Sequence, residues 1–86
     1  MEARISDTVE APTVVRTVDA RGQSCPGPLV TLHRDLADVP SGQLVELLAT
    51  DPGSISDVPA WAKISGNELV EQDTTGPVFR YVIRKS

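Results

Sequence analysis

An α/β fold class is what this 86-residue sequence predicts, as a two-layer α/β sandwich of order β-α-β-α-β-β. Three observations lead there. Two runs rich in β-branched and aliphatic residues, 13–19 and 43–50, each feed into a proline-bearing helix start. The stretches after those starts carry apolar residues at helical spacing. The last third holds two strand-like segments around Thr74-Thr75-Gly76-Pro77, which read as a hairpin. Two helices crossing from strand to strand then cover one face of a four-stranded sheet, which is mixed because only the final pair is a hairpin.

Residues 1–12 mix charge, small residues and proline without a period, and are expected to be a flexible N-terminal extension ahead of one domain over 13–86. The first strand covers 13–19, closed by Asp19 and Gly22. The first helix starts at Pro26 or Gly27 and runs to Asp38, with Leu29, Leu32 or His33, Leu36 and Val39 as its buried stripe. Val39-Pro40-Ser41-Gly42 stops it. Residues 43–50 form the central strand, an apolar run bounded by turn signals.

Asp51-Pro52-Gly53-Ser54 repeats the helix-entry chemistry, with Asp51 as the cap and Pro52 in the first turn. A second helix over 54–65 follows and ends at Gly66-Asn67. Pro59 interrupts it, so a loose or 3₁₀-like opening turn is expected before a regular part around 58–64. Ile55, Val58, Trp61, Ala62 and Ile64 are its expected buried positions. In the last strand Phe79, Tyr81 and Ile83 share one face, and Arg80 and Arg84 the other.

Composition narrows the function. Only Trp61, Phe79 and Tyr81 are aromatic, so aliphatic residues must supply the core and a base-stacking platform is disfavoured. Eight basic against twelve acidic residues give a net charge of −4, with no basic run to neutralise phosphates. Direct nucleic-acid binding is therefore not expected. The first ten residues have no apolar core and do not resemble a secretory signal, and no stretch approaches the roughly 20 apolar residues of a membrane span. A single cysteine forms neither an intrachain disulfide nor a cysteine-rich zinc site. A cytoplasmic protein without membrane contact is the expectation, and nothing demands more than a monomer.

That cysteine sits in Arg21-Gly22-Gln23-Ser24-Cys25-Pro26-Gly27-Pro28, where an extended segment becomes a helix. A lone cysteine often serves as a small buried apolar residue. Here the backbone chemistry favours a reactive one. Pro26 biases Cys25 away from helical geometry, and Pro26 and Pro28 suit the first turn, where a proline's missing N–H costs nothing. Cys25 is thus placed at or next to the helix N-cap. Free N–H groups and the positive end of the helix dipole favour thiolate there. A tight turn at Gly22 would let Arg21 add positive charge; the alternative is an ordinary solvated loop charge. Asp51 begins the other helix at a neighbouring strand end, as a plain cap or as part of a docking face. His33, eight residues on, is about 12 Å away along a helix axis and too far to act as the thiol's base.

The ordered motifs Asp19-Ala20-Arg21-Gly22-Gln23-Ser24-Cys25-Pro26-Gly27-Pro28, Pro40-Ser41-Gly42, Ala49-Thr50-Asp51-Pro52-Gly53, Asp57-Val58-Pro59-Ala60-Trp61 and Phe79-Arg80-Tyr81-Val82-Ile83-Arg84-Lys85 resemble the TusA (SirA-like) sulfur-carrier family over residues 14–85. The resemblance implies a sulfurtransferase-type carrier whose Cys25 accepts sulfane sulfur as a persulfide. It implies a cysteine desulfurase or rhodanese-like protein as donor and a downstream acceptor protein serving tRNA thiolation, cofactor assembly or sulfur metabolism. No cofactor is implied beyond the sulfur held covalently on Cys25. Many relatives have a second cysteine after the aromatic residue of the second helix. This chain has Ala62 there, which counts against resolving the persulfide as an internal disulfide.

Three alternatives compete with a carrier. A non-catalytic regulatory or interaction module would use the surface around Cys25 only to bind. A peroxide-reacting thiol protein would need an external thiol to resolve it. Metal binding is weakest, because one cysteine and a distant histidine do not assemble a site.

Overall fold

The protein's structure is a computed structural model that describes residues 14–24 and 26–86. The expected extension over 1–12, the strand residue Thr13 and the thiol of Cys25 lie outside the described residues. In chain order the elements are β1 (Val14–Ala20), α1 (Gly27–Leu36), β2 (Leu44–Ala49), α2 (Ser54–Ser65), β3 (Glu68–Asp73) and β4 (Phe79–Arg84). The strands form one sheet in the order β1-β2-β4-β3. β1 pairs parallel to β2, while β4 runs antiparallel to both β2 and β3. β4 is therefore inserted between the two strands that α2 connects. The sheet is mixed as expected, and the architecture is the two-layer α/β sandwich.

Alternation in the strands builds the core. Val18 and Ala20 of β1, Val45, Leu47 and Ala49 of β2, and Tyr81 and Ile83 of β4 point to one face. Leu32 and Leu36 of α1 and Val58 of α2 close onto them, so both helices cover that face. Val82 and Leu44, on the opposite face, are also buried, at 3% and 4% exposure. Alternation alone does not foresee this. Val82 lies in register between Glu46 and Glu71, and Arg80 pairs with both carboxylates, spanning the strand beside it.

Both helices differ from expectation in detail. α1 ends at Leu36 rather than Asp38, and Ala37 and Val39 instead donate to Arg34 O and Leu36 O in i→i+3 turns. Lys85 accounts for the early stop, because its Nζ donates to Leu36 O at 2.8 Å and Val39 O at 2.9 Å. α2 runs unbroken through Pro59. The carbonyl that Pro59 leaves without an intrahelical partner belongs to Ile55, a residue 41% exposed, so water can reach it. The i→i+3 bonds expected around the proline lie upstream, from Ser54 N to Asp51 O and Ile55 N to Pro52 O.

The buried stripe of α2 is narrower than expected. Val58 and Ala62 are buried and Trp61 packs on the core's edge, but Ile55 is exposed and Ile64 is 86% exposed. The fully buried Ser54 takes the remaining inward position and shares a hydrogen bond of 2.8 Å with the Tyr81 hydroxyl. No helix among the described residues is long and apolar enough to cross a membrane.

α2 stops at Gly66, which has φ of +80° and open space where a Cβ would stand. Only backbone strain opposes a side chain there. Gly66→Ala is expected to cost about 1 kcal/mol and Gly66→Asn less, read from urea midpoints at unchanged slope. Equal stability of all three proteins would show that the turn leaves the left-handed region without penalty.

Candidate functional site

The parallel pairing of β1 and β2 sets the site. Ala20 and Ala49 are register partners and both are fully buried, so the two strands end side by side. The loop to α1, residues 21–26, therefore emerges next to the loop to α2, residues 50–53. A hydrogen bond joins the two, with Gly22 N donating to Thr50 Oγ1 at 2.9 Å. The tight turn expected at Gly22 is present, with φ of +81°.

Beyond Gly22 the loop folds back on itself. Gln23 N donates to Ala20 O at 3.2 Å, and Gly27 N donates to Ser24 O at 2.8 Å. Pro26 takes the N-cap position with φ of −90° and ψ of 17°, and Val30 N donates to its carbonyl at 3.0 Å. In sequence Cys25 is thus one residue ahead of the N-cap. Pro28 is buried in the first turn and offers no N–H. Among the described residues no side chain caps α1 and no acidic residue lies in its first turn. The positive end of the helix dipole is left uncompensated from within the helix.

Arg21 is committed elsewhere. Its Nε and Nη2 grip the two carboxylate oxygens of Asp19 at 2.9 and 2.8 Å, and its backbone N–H adds a third bond of 3.1 Å to Oδ1. Of the two roles open to Arg21, the structure shows a solvent-exposed loop charge with its own counter-ion. The Arg21 side chain and backbone bonds hold the Asp19 carboxyl well below the usual range, at about 2.

This depression fixes the sign of a pH effect. The pair stabilises the fold fully above the ordinary carboxylate value, and its contribution is lost as pH falls toward about 2. The difference in urea midpoint between the native chain and Asp19→Asn is therefore expected to shrink steadily as pH falls through that window. A gap that persists at the acid end would show that Asp19 acts by something other than its charge.

Asp51 lies two residues before the α2 N-cap, which is Gly53, and not at the cap itself. Its Oδ2 still accepts the Gly53 N–H at 3.0 Å, so it closes the opening turn from outside the helix. A groove of about 260 Å³ opens between the helices, lined by Leu29, Asp57, Ala60, Trp61 and Ile64. Leu29, in the first turn of α1, connects that groove to the loop.

Two residues of the site are not singled out by sequence reasoning. Thr50 reads there as the last residue of a strand, and both it and Gln23 otherwise stand only within the motifs that carry the family resemblance, with no role of their own. Their roles depend on neighbours distant in the chain. Gln23 Oε1 accepts a hydrogen bond from the Thr31 hydroxyl at 3.1 Å. A Cβ on Gly27 would come within 3.1 Å of that same oxygen, so glycine lets Gln23 lie against the helix start.

The mixed four-stranded sheet under two helices is an α/β architecture that a solved SirA-like protein matches. A crystal structure of a SirA-like protein from Desulfitobacterium hafniense superimposes with a TM-score of 0.70 at 26% identity, covering 81% of this chain and 96% of that one. The chain belongs to the TusA sulfurtransferase family, whose family model, described as sulfurtransferase TusA, matches residues 16–85. It is 44% identical over 69 residues to the sulfur carrier protein TusA of Allochromatium vinosum, covering 80% of this chain and 91% of the relative. It is 37% identical over 81 residues to the sulfur carrier protein TusA of Pseudomonas syringae pv. tomato, covering 94% and 96%.

Proposed function

We propose that this protein is a sulfur carrier that takes sulfane sulfur onto Cys25 as a persulfide and delivers it to an acceptor protein. The observation that carries this reading is the family match over residues 16–85, which spans Cys25 and both helix entries. In the loading step the Cys25 thiolate attacks the outer sulfur of a donor protein's persulfide. The new S–S bond forms on Cys25, the donor's S–S bond breaks, and the donor thiolate leaves with that electron pair. No external oxidant or reductant is consumed. Delivery repeats the exchange with the acceptor's thiolate.

The loop chemistry supports both steps. A helix N-terminus uncompensated from within the helix favours the thiolate, and a loop at the strand ends, exposed or half-buried where described, leaves an approach path for a partner. The donor is a cysteine desulfurase or a rhodanese-like protein, and the acceptor belongs to a relay for tRNA thiolation, cofactor assembly or sulfur metabolism. The carrier works in the cytoplasm, where a lone thiol stays reduced.

The test is intact mass spectrometry under non-reducing conditions after incubation with a cysteine desulfurase, its pyridoxal phosphate and cysteine. A gain of one sulfur, about 32 Da, that reductant removes is the expected result. No gain from that donor, or from a rhodanese with thiosulfate, on a thiol that alkylates readily would sink the carrier reading.

A further inference from the structure

We infer that Thr50 and Gln23 are positioning residues for the chemistry of Cys25, holding the loop that bears it from two opposite elements. The inference rests on the carrier reading for the reaction it serves. In-line attack on a persulfide depends on how the sulfur is aimed, so the peptide that carries it must be held. The described residues among 21–26 are exposed or half-buried, and none of them belongs to the hydrophobic core. Their placement must come from polar ties.

Thr50, at the end of β2, supplies the first tie by accepting the Gly22 N–H at 2.9 Å. It is the hydrogen bond between the two helix-entry loops among the described residues. It holds the loop where the chain turns through the left-handed region, three residues before Cys25. Gln23 supplies the second tie from the α1 side. Its carboxamide oxygen receives the Thr31 hydroxyl, its backbone N–H bonds Ala20 O, and its side chain rests so close to Gly27 that a Cβ there would lie 3.1 Å from the carboxamide oxygen. The loop is therefore fastened to β2 at Gly22 and to α1 at Gln23, immediately before the Ser24-Cys25 step.

The test compares Thr50→Val, Thr50→Ser and Gln23→Leu with the native chain by three readouts. These are the pH profile of Cys25 alkylation by iodoacetamide, the kcat/KM for sulfur loading from a cysteine desulfurase, and the melting temperature. Thr50→Val and Gln23→Leu are each expected to lower loading about five-fold, chiefly through kcat, and to displace the alkylation profile. Thr50→Ser keeps the accepting oxygen and is expected to restore both. Unchanged loading and alkylation in the two variants would overturn the inference. So would losses that follow the melting temperature while the alkylation profile stays fixed. If the native chain takes up no sulfur, the carrier reading fails separately, and the alkylation profiles alone decide whether these residues position the thiol.

Discussion

Cys25→Ser is expected to abolish sulfur loading, leaving the mass of the protein unchanged under conditions that load the native chain. The reason is chemical before it is structural. Attack on the outer sulfur of a persulfide requires a thiolate, and a serine hydroxyl neither ionises near neutral pH nor forms a stable product with sulfane sulfur. The chain has one cysteine, so no second sulfur can take over. With no second thiol in the chain, the loaded species is expected to persist as a persulfide and not to collapse to an internal disulfide.

The same substitution exchanges one sulfur for oxygen, and its stability cost is expected to stay within about 0.5 kcal/mol. Urea midpoints of the two proteins check this alongside the mass measurement. Sulfur on the serine variant would place carriage outside Cys25. Loss of loading accompanied by unfolding would leave the mass result without chemical meaning, and Cys25→Ala would then have to repeat it in a folded protein.

Leu47→Ala is expected to be among the most damaging of the aliphatic core truncations, with a loss of about 3 kcal/mol. Leu47 is fully buried in β2, an inner strand, with Val18 and Tyr81 as its register partners on either side. Strands flank it laterally and helices cover it, so little can move in to fill the void. For a domain this small, that loss lowers the melting temperature by roughly 12–24 °C. Ile64→Ala removes a similar volume from a side chain 86% exposed, and is expected to change stability by less than about 0.5 kcal/mol. Comparable losses in the two variants would contradict the assignment of core and surface. A Leu47→Ala loss under about 1 kcal/mol would mean that the sheet relaxes around the cavity.

Ile64 and Val58 mark where sequence reasoning stops. Both fit the buried stripe of α2, yet one is among the most exposed apolar residues and the other is fully buried. Spacing defines an apolar arc on a helix, but the rotation of that helix over the sheet decides which edge of the arc meets a neighbour. Ser54, Val58 and Ala62, four residues apart, are the positions that face inward. In the same way the sequence indicates a proline in α2 but not that the carbonyl it orphans lies on an exposed face.

The site divides along a similar line. Sequence alone determined the element order, the α/β class, the tight turn at Gly22 and the proline-rich start of α1. Each follows from a local property: a missing N–H, a side-chain period, or a φ that only glycine adopts freely. Arg21 with Asp19 and Asp51 with Gly53 are contacts two residues apart that the folded path of each loop selects, whereas tertiary structure alone decided that Thr50 and Thr31 reach the loop from the end of β2 and from α1. Hydrogen bonds between residues distant in the chain depend on strand register and helix docking, and these are set by packing of the whole core, not by any one stretch of it.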